Sequence, residues 1–566
     1  MKKIIIVFLS LFMLVACSEQ QPNDNSNLSH NNEQVETVID NSGQDFDLRI
    51  LKLENRSENF IYSPLSIKYC LSMLSDGAGG STKEQLDNLI GSYVPKSYTN
   101  SENLSLANMI VVKDTLENKV NDSFSETIKE KYNAEFELDS FTDPANINNW
   151  ISNNTFNMIN NYIDSFNPEL KFLIINALAI DMEWVNKLQE MFDYSPAHEQ
   201  YFAFVRDYSE DSYPIFAFNG SNAKGTNFTA VANKYDIIDD LGEDNIRETV
   251  ANYLRESLNE NSGLLQEMSS LYGPGDSETV INNYLEEYMN EISQNYGYYG
   301  ESTDFYYYID DSINAFAKDL KEYDETQFQF VAIMPTNEEL TSYIDSISNE
   351  DINNIINSLK EPSYDDFEEG YITEIKGLFP TFSFTYDLNL DDDLKKIGVT
   401  DIFDINKANL CNIISDEAIS VETKHKSTID LSNEGIKASA ITLGGGLGAA
   451  GFYDYIFEVP VKTIELNFDK PFLFLIRNKD TNENWFVGTL YEADKPNITL
   501  MIYVDALKIR SEPSINAEQI GLAKQYDILV GTGNTIESEG YTWYELADGG
   551  WIADKNNEWL YVNNRY

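Results

Sequence analysis

The sequence predicts an α+β body followed by a small all-β domain. Three observations carry this. Long apolar runs such as "LIINALAIDMEW" and "KPFLFLIR" are too continuous for half-exposed strands and read as strands buried on both faces. Segments with helical spacing, opened by capping residues, lie between them. After Pro496 the pattern turns to short strands and turns, the spacing of a small β-barrel. At 566 residues there is room for more than one domain, and 42% hydrophobic content supplies the cores.

The elements follow in order. "DFDLRILKLE" spaces Phe46, Ile50 and Leu53 as a helix does. Phe60–Tyr62 is a short strand. Ser63 is then an N-cap with Pro64 at the first helical position. Ile67 to Leu74 reads as a buried helix stopped by Gly77, Gly79 and Gly80, with Ser81 or Thr82 capping the next. "LANMIVVKD" is a strand, "INNWISNNTFNMINNYI" a helix, and "LIINALAIDMEW" a long buried strand. Residues 204–315 are acidic and Tyr-rich with few aliphatic core residues. They read as an insertion, partly helical and partly low-complexity, solvated rather than packed. Strands resume at "FQFVAIMPTNEE". The helix "EDINNIINSLK", the strands of "ITEIKGLFPTFSFTYDLNL" and a helical "DDDLKKIGVTDIFD" follow. A β-hairpin with its turn around Asp480–Glu483 closes the body.

The chain opens "MKKIIIVFLSLFMLVACSEQ". Lys2 and Lys3 precede an apolar run, Ile4–Ala16, too short to serve as a stop-transfer helix. "LVAC" resembles a bacterial lipobox, so residues 1–17 are expected to be a lipoprotein signal peptide with Cys17 as the lipidated residue. Residues 18–44 are polar and aperiodic, as a disordered tether would be. The protein is then expected on the outer side of the bacterial membrane, lipid-anchored, shed or secreted. Outside the cell Cys70 and Cys411 could form a disulfide, but both sit among apolar residues and read rather as two buried free thiols.

Lys+Arg number 39 and Asp+Glu 94, a formal charge of −55. Phosphate backbones would be repelled, so no nucleic-acid partner is expected. Only three histidines are present, His30, His198 and His425. That leaves little for a His-based triad or metal site, so no enzyme, metal or cofactor is expected.

Nine blocks in order carry a resemblance over residues 45–496: "NFIYSPLSI", "GAGGSTKEQL", "LANMI", "INNWISNNT", "INALAIDMEW", "FVAIMPTNEE", "IGVTDIFD", "HKSTIDLSNEG" and "NFDKPFLFLIR". Together they resemble the serpin family. Residues 498–566, through "LKIRSEPSINAEQIG" and Trp543 with "GGWI", resemble a bacterial SH3-type domain. The first resemblance implies three β-sheets with about eight to nine helices and an exposed reactive loop. A serine protease cuts that loop, which then inserts into the central sheet as a new strand and traps the protease. The second implies a small SH3-like barrel.

Insertion imposes a steric rule, because side chains alternate faces along a strand. With Gly435 as hinge, one face carries Ile436, Ala438, Ala440, Thr442, Gly444 and Gly446, all uncharged and small after Ile436. Lys437 falls on the opposite face. Ala and Gly are poor strand formers, which favours a loop until it is cut. The family usually has Thr or Ser at the Ile436 position and Glu at the Lys437 position, and its loop is usually shorter. These departures favour the alternative, a non-inhibitory scaffold that binds partners or cell-wall peptides through the acidic insertion or the tail domain.

Counting from the hinge places the reactive bond at Ala449–Ala450, suited to elastase- or subtilisin-like proteases. Counting back from "DKPF" lands near Pro460, a poor site for cleavage. Phe452, Tyr453, Tyr455 and Phe457 between them would suit chymotrypsin-like proteases. The hinge count is preferred, since the inserted length must match the sheet.

The resemblance also assigns Ser63, Ser66, Asn176 and His425 to a hydrogen-bonded shutter under the sheet, and Trp184 to the top of the sheet where insertion begins. Read from the residues alone, they are a helix cap, strand polar groups, a core histidine and a packed aromatic. "INNWISNNTFNMI" has Asn157-Met158 where the family usually has Gly-Lys, a local surface change. The expected function is suicide-type serine protease inhibition by a tethered monomer.

Overall fold

The computed structural model describes residues 4–15 and 46–563, apart from 92, 97, 161, 186–214, 261–262, 296, 302–303, 324–325, 416–418, 432–459 and 557. The chain divides into two compact units. Met1–Gln189, Phe228–Gly377 and Ser383–Tyr491 form the first; Glu190–Asn227, Leu378–Phe382 and Glu492–Tyr566 form the second.

The first unit is built on a six-stranded sheet of β1 (Ile4–Val15), β2 (Leu104–Lys113), β3 (Glu135–Asp139), β4 (Leu170–Met182), β5 (Phe382–Leu388) and β6 (Ser420–Leu431). Their order across the sheet is β5-β6-β1-β4-β2-β3. β1 is antiparallel to both β4 and β6, so these two point the same way and stand one strand apart. β4 is buried along almost its whole length, as its unbroken apolar run requires. Helix α1 (Pro64–Gly77) packs against β4. The Ser63 hydroxyl caps it by accepting the Ser66 N–H at 3.1 Å, with Pro64 in the first turn.

A second sheet runs Phe60–Tyr62, Asn484–Leu490, Phe472–Asn478, Phe328–Pro335, Ile313–Asp319 and Tyr306–Ile309. Its Phe472–Leu490 hairpin turns where the sequence placed the turn. The Asn478 side chain accepts the Asp480 and Thr481 N–H groups, and Asn482 takes a φ of 58°. In the third sheet Val461–Glu465 pairs in parallel with the start of Ile372–Pro380.

Several expectations need correction. The helix expected from Ser81 or Thr82 begins at Gly80 with Gly79 as an unbonded cap. Both hydroxyls are engaged elsewhere: Ser81 donates to Asp401 at 2.6 Å, and Thr82 accepts the Asn409 N–H at 3.0 Å. The helix expected over "INNWISNNTFNMINNYI" covers only Ala145–Asn154. It stops because Phe156 and Asn157 turn to φ 50° and 62°. Cys70 is buried as expected but Cys411 is exposed; neither is in a disulfide.

The insertion also differs from expectation. Residues 237–295 form four helices, Ile237–Leu241, Glu243–Glu260, Leu264–Tyr272 and Ser277–Asn295, with a core of their own. Ile246, Val250, Val280 and Ile281 there are fully buried. Their helical spacing is hidden among Asn, Glu and Tyr, which is why the stretch looked poor in aliphatic residues. Arg247 ties Glu243 to Glu286, and Arg255 holds Glu278, across the helix surfaces. These helices bring the described α-helices to twelve rather than eight to nine.

Elsewhere local signals suffice. Helix Asn349–Ser358 carries a complete capping box, in which Ser348 Oγ accepts the Asp351 N–H and Asp351 accepts the Ser348 N–H. The Ser348 hydroxyl also donates to Asp351 Oδ2 at 2.7 Å, and that bond first, then the Ser348 N–H, holds the Asp351 carboxyl below its ordinary pKa. Ser348→Ala is expected to cost about 1 kcal/mol in a urea melt; an unchanged midpoint would show that the cap is not limiting.

The second unit contains a seven-stranded sheet in the order Gln519–Lys524, Ala506–Arg510, Trp551–Asp554, Tyr541–Leu546, Ile528–Ser538, Ile498–Ile502, Leu560–Asn563. Leu500, Ile502 and Ile552 are fully buried in its core. The Trp543 indole is buried and donates to the Ser538 carbonyl at 3.2 Å. A concavity of about 680 Å³ opens beside Tyr503, Tyr544 and Tyr561.

Candidate functional site

The site is the position between β4 and β6 and the polar groups beneath it. His425 points from β6 into the core, 1% exposed. Its Nε2 accepts the Ser63 N–H at 3.0 Å, so Nε2 is unprotonated and the ring's proton sits on Nδ1. The Ser427 hydroxyl is 3.1 Å from the same nitrogen and donates to it. Ser63 in turn accepts the Ser66 N–H. One chain of hydrogen bonds therefore links the start of α1 to β6. Burial pushes the His425 pKa down to about 3, because the cation would lose its hydration.

Asn176 belongs to the other wall. It lies on β4, fully buried, and donates to Asn108 Oδ1 at 2.8 Å; Asn108 donates to the Tyr132 carbonyl at 2.9 Å. Asn176 and His425 both stand opposite Ser10 of β1, one on each side. So Ser63, Ser66 and His425 are joined directly, while Asn176 faces them across one strand's width. Among the residues whose side chains are described, which leaves out those of β1, Asn176 Oδ1 and Ser66 Oγ have no hydrogen-bond partner.

Trp184 lies just past the end of β4. It is 2% exposed, its ring centre 6.0 Å from that of Phe330 in an edge-on contact, and it bridges to Leu320. Its flanks are pinned: Val185 N–H donates to the Asp319 carbonyl at 3.1 Å, Lys321 N–H donates to the Glu183 carbonyl at 2.7 Å, and Glu183 pairs with Lys321.

Gly435, Ile436, Ala438, Ala440, Thr442, Ala449 and Ala450 all fall within 432–459, and Cys17 precedes residue 46; these lie outside the described residues. What is described are the loop's two ends. β6 ends at Leu431, and Pro460 resumes with its carbonyl accepting the Ile372 N–H at 2.9 Å. A chain leaving Leu431 that turned back alongside β6 would run antiparallel to it, the sense that β1 has.

Sequence reasoning missed Asn108 and Ser427. Ser427 was within reach, since it lies two residues beyond His425 and thus on the same face of a strand. Asn108 was visible only as a polar residue inside the "LANMI" strand. Among the described residues no cluster of His, Cys, Asp or Glu could hold a metal, and no helix is long and apolar enough to cross a membrane.

A family model described as Serpin (serine protease inhibitor) matches residues 43–215 and 220–493. The chain is 22% identical to neuroserpin of Homo sapiens over 472 residues, 79% of this chain and 89% of that protein. It is 23% identical to glia-derived nexin of Rattus norvegicus over 465 residues, 78% of this chain and 88% of the relative. Identity is higher but shorter with Iripin-5 of Ixodes ricinus, 34% over 118 residues, 21% of this chain. The match spans only 28% of the length of Iripin-5, and likewise of Serpin B10 of Rattus norvegicus. Among solved structures, the native state of Tengpin, a thermophilic serpin, aligns with a TM-score of 0.50 at 19% identity, over 82% of this chain and 96% of that one. That likeness is one of fold.

Proposed function

Because the chain belongs to the serpin family, we propose that it is a single-use inhibitor of serine proteases, acting by cleavage of the 432–459 loop and its insertion between β4 and β6. One observation carries the reading: that position accepts a twelve-residue strand antiparallel to both neighbours, beside the strand that leads into the Gly/Ala-rich loop. Ile436–Leu447 has the same length, and its alternate positions are uncharged. Paired with both neighbours, the cut loop would satisfy its backbone along two ladders. The hydrogen-bonded chain of Ser63, His425 and Ser427 beneath, able to exchange partners, supports a place where strands part and re-pair.

The target class follows from the bond. Ala449–Ala450 is read as the bait, for a protease with a shallow pocket of the elastase or subtilisin kind, or a chymotrypsin-like one if an aromatic just beyond it is used. We read the leader and "LVAC" as delivery to the outer face of the membrane through Cys17, and residues 498–566 as an SH3-like domain that holds cell-wall peptides.

Incubation of the chain lacking residues 1–16, the expected leader, with elastase, subtilisin and chymotrypsin tests the inhibitor. An SDS-stable complex is expected with at least one, and the released peptide marks the bond. Clean cleavage without a complex, and without a gain in thermal stability, would instead support a scaffold that binds but does not inhibit.

A further inference from the structure

In this structure β1, residues Ile4–Val15, already stands between β4 and β6. It is the apolar run read above as the heart of a leader. We propose that a chain still carrying this segment is self-blocked: β1 holds the sheet position that the reactive loop has to take, and inhibition begins only once the segment is removed. This rests on the inhibitor reading given above.

Four features support it. The pairing is continuous: Ile5 through Val15 pairs residue by residue with Asp430 through Ser420, and Ile4 through Leu14 with Met182 through Phe172. The sense is that of an inserting loop, with Ile4 and Ile5 at the end of the sheet where β6 runs out into residue 432. The length, twelve residues, equals that of Ile436–Leu447. The composition also fits. "IIIVFLSLFMLV" is an unbroken apolar run, as the middle of a sheet favours, except for one hydroxyl. That hydroxyl belongs to Ser10, and Ser10 is the position that stands opposite both Asn176 and His425. The one polar residue of the strand is in register with the polar pair of its neighbours.

Competition for the position favours β1. Ile, Val and Phe are strong strand formers; the Ala and Gly of the loop are weak ones. A cut loop meeting a filled sheet has nowhere to insert, so the protease completes its turnover and leaves. Hydrolysis of the Ala16–Cys17 peptide bond by a membrane peptidase, one water added across it, would separate β1 from the rest of the chain. The block therefore suits a precursor retained inside the cell, where an armed inhibitor would threaten the cell's own serine proteases.

The test compares three forms: the full chain, the full chain carrying Leu9→Asp and Phe12→Asp, and the chain lacking residues 1–16. The double variant places a carboxylate on each face of β1 and should expel it; the truncation covers the case in which that variant fails to fold. Hydrogen exchange is read first, over residues 4–15. Protection there in the full chain and its loss in the double variant are expected. No protection of residues 4–15 in the full chain overturns the block, whatever the inhibition assays show. Each form is then mixed with subtilisin and elastase, and its melting temperature is recorded before and after loop cleavage. The full chain should form no SDS-stable complex and melt at the same temperature after cleavage, whereas the other forms should trap protease and gain stability. A full chain that gains as much stability on cleavage as the truncated one overturns the proposal. Protection confined to the full chain, with no complex and no gain from any form, overturns the inhibitor reading, and the block falls with it.

Discussion

Ala440→Glu is expected to abolish formation of the SDS-stable complex while leaving the loop as cleavable as before. Cleavage needs only an accessible peptide bond, whereas trapping needs the loop to enter the sheet. Position 440 belongs to the face with Ile436, Ala438, Thr442, Gly444 and Gly446, which the proposed insertion would turn inward. The walls it would meet are closed to water: Ile174, Ile175, Asn176, Ala177 and Leu178 of β4 are all fully buried. A carboxylate taken there without a partner costs several kcal/mol, enough to stall insertion until the acyl-enzyme hydrolyses. Ser439→Glu, on the opposite face, is the matched control and should keep its inhibition. The pair is best measured in the chain lacking residues 1–16, with complex yield on gels and the rise in melting temperature after cleavage. If Ala440→Glu traps protease as well as the unaltered chain does, the inward face has been assigned to the wrong set of residues.

Acid should weaken the protein through His425, and the sign is fixed by which state takes the proton. An unfolded histidine titrates near 6.5; in the folded chain the pKa lies at about 3. Between these values the unfolded chain binds a proton that the folded chain refuses. The contribution of the neutral ring is therefore whole above about pH 6.5 and declines as pH falls, by about 1.4 kcal/mol per unit, to be spent near pH 3. At pH 5 the loss is about 2 kcal/mol, and that figure requires only that the folded pKa lie below 5. His425→Asn removes the titration and leaves an acceptor for the Ser63 N–H. The stability difference between parent and variant should narrow by about 2 kcal/mol from pH 7 to pH 5. The carboxylates common to both chains cancel in that comparison. Parallel pH profiles would mean that His425 titrates alike in both states, contrary to its burial.

The elements legible in advance were those whose signal is local. Ser63-Pro64 announced a helix start, and the cap is there. The apolar run ending at Met182 announced a strand buried on both faces, and β4 is one. The hairpin turn near Asp480 was readable from its Asn, Asp and Thr. Where local signals competed, reading failed. Ser81 and Thr82 look like caps, but their hydroxyls bond to Asp401 and Asn409, more than 300 residues away in sequence. Asn-rich residues 145–163 have helical spacing throughout, yet the chain turns left-handed at Phe156 and Asn157, and no short pattern foretells that.

The candidate site divides in the same way. Sequence alone determined the composition of the loop: one uncharged face, small after Ile436, and weak strand propensity. It also determined that His425 was the one histidine near a recognisable block. Tertiary structure decided what that histidine does, because its partners Ser63 and Ser427 come from a helix start 362 residues away and from its own strand. It decided, too, that Asn176 stands across one strand's width from His425, and that the N-terminal apolar run stands in the gap between their strands. Alternation and propensity act between near neighbours in the chain, so they can be read from it. Strand neighbours in a sheet are chosen by burial and backbone pairing between distant segments, and those terms exist only once the chain has folded.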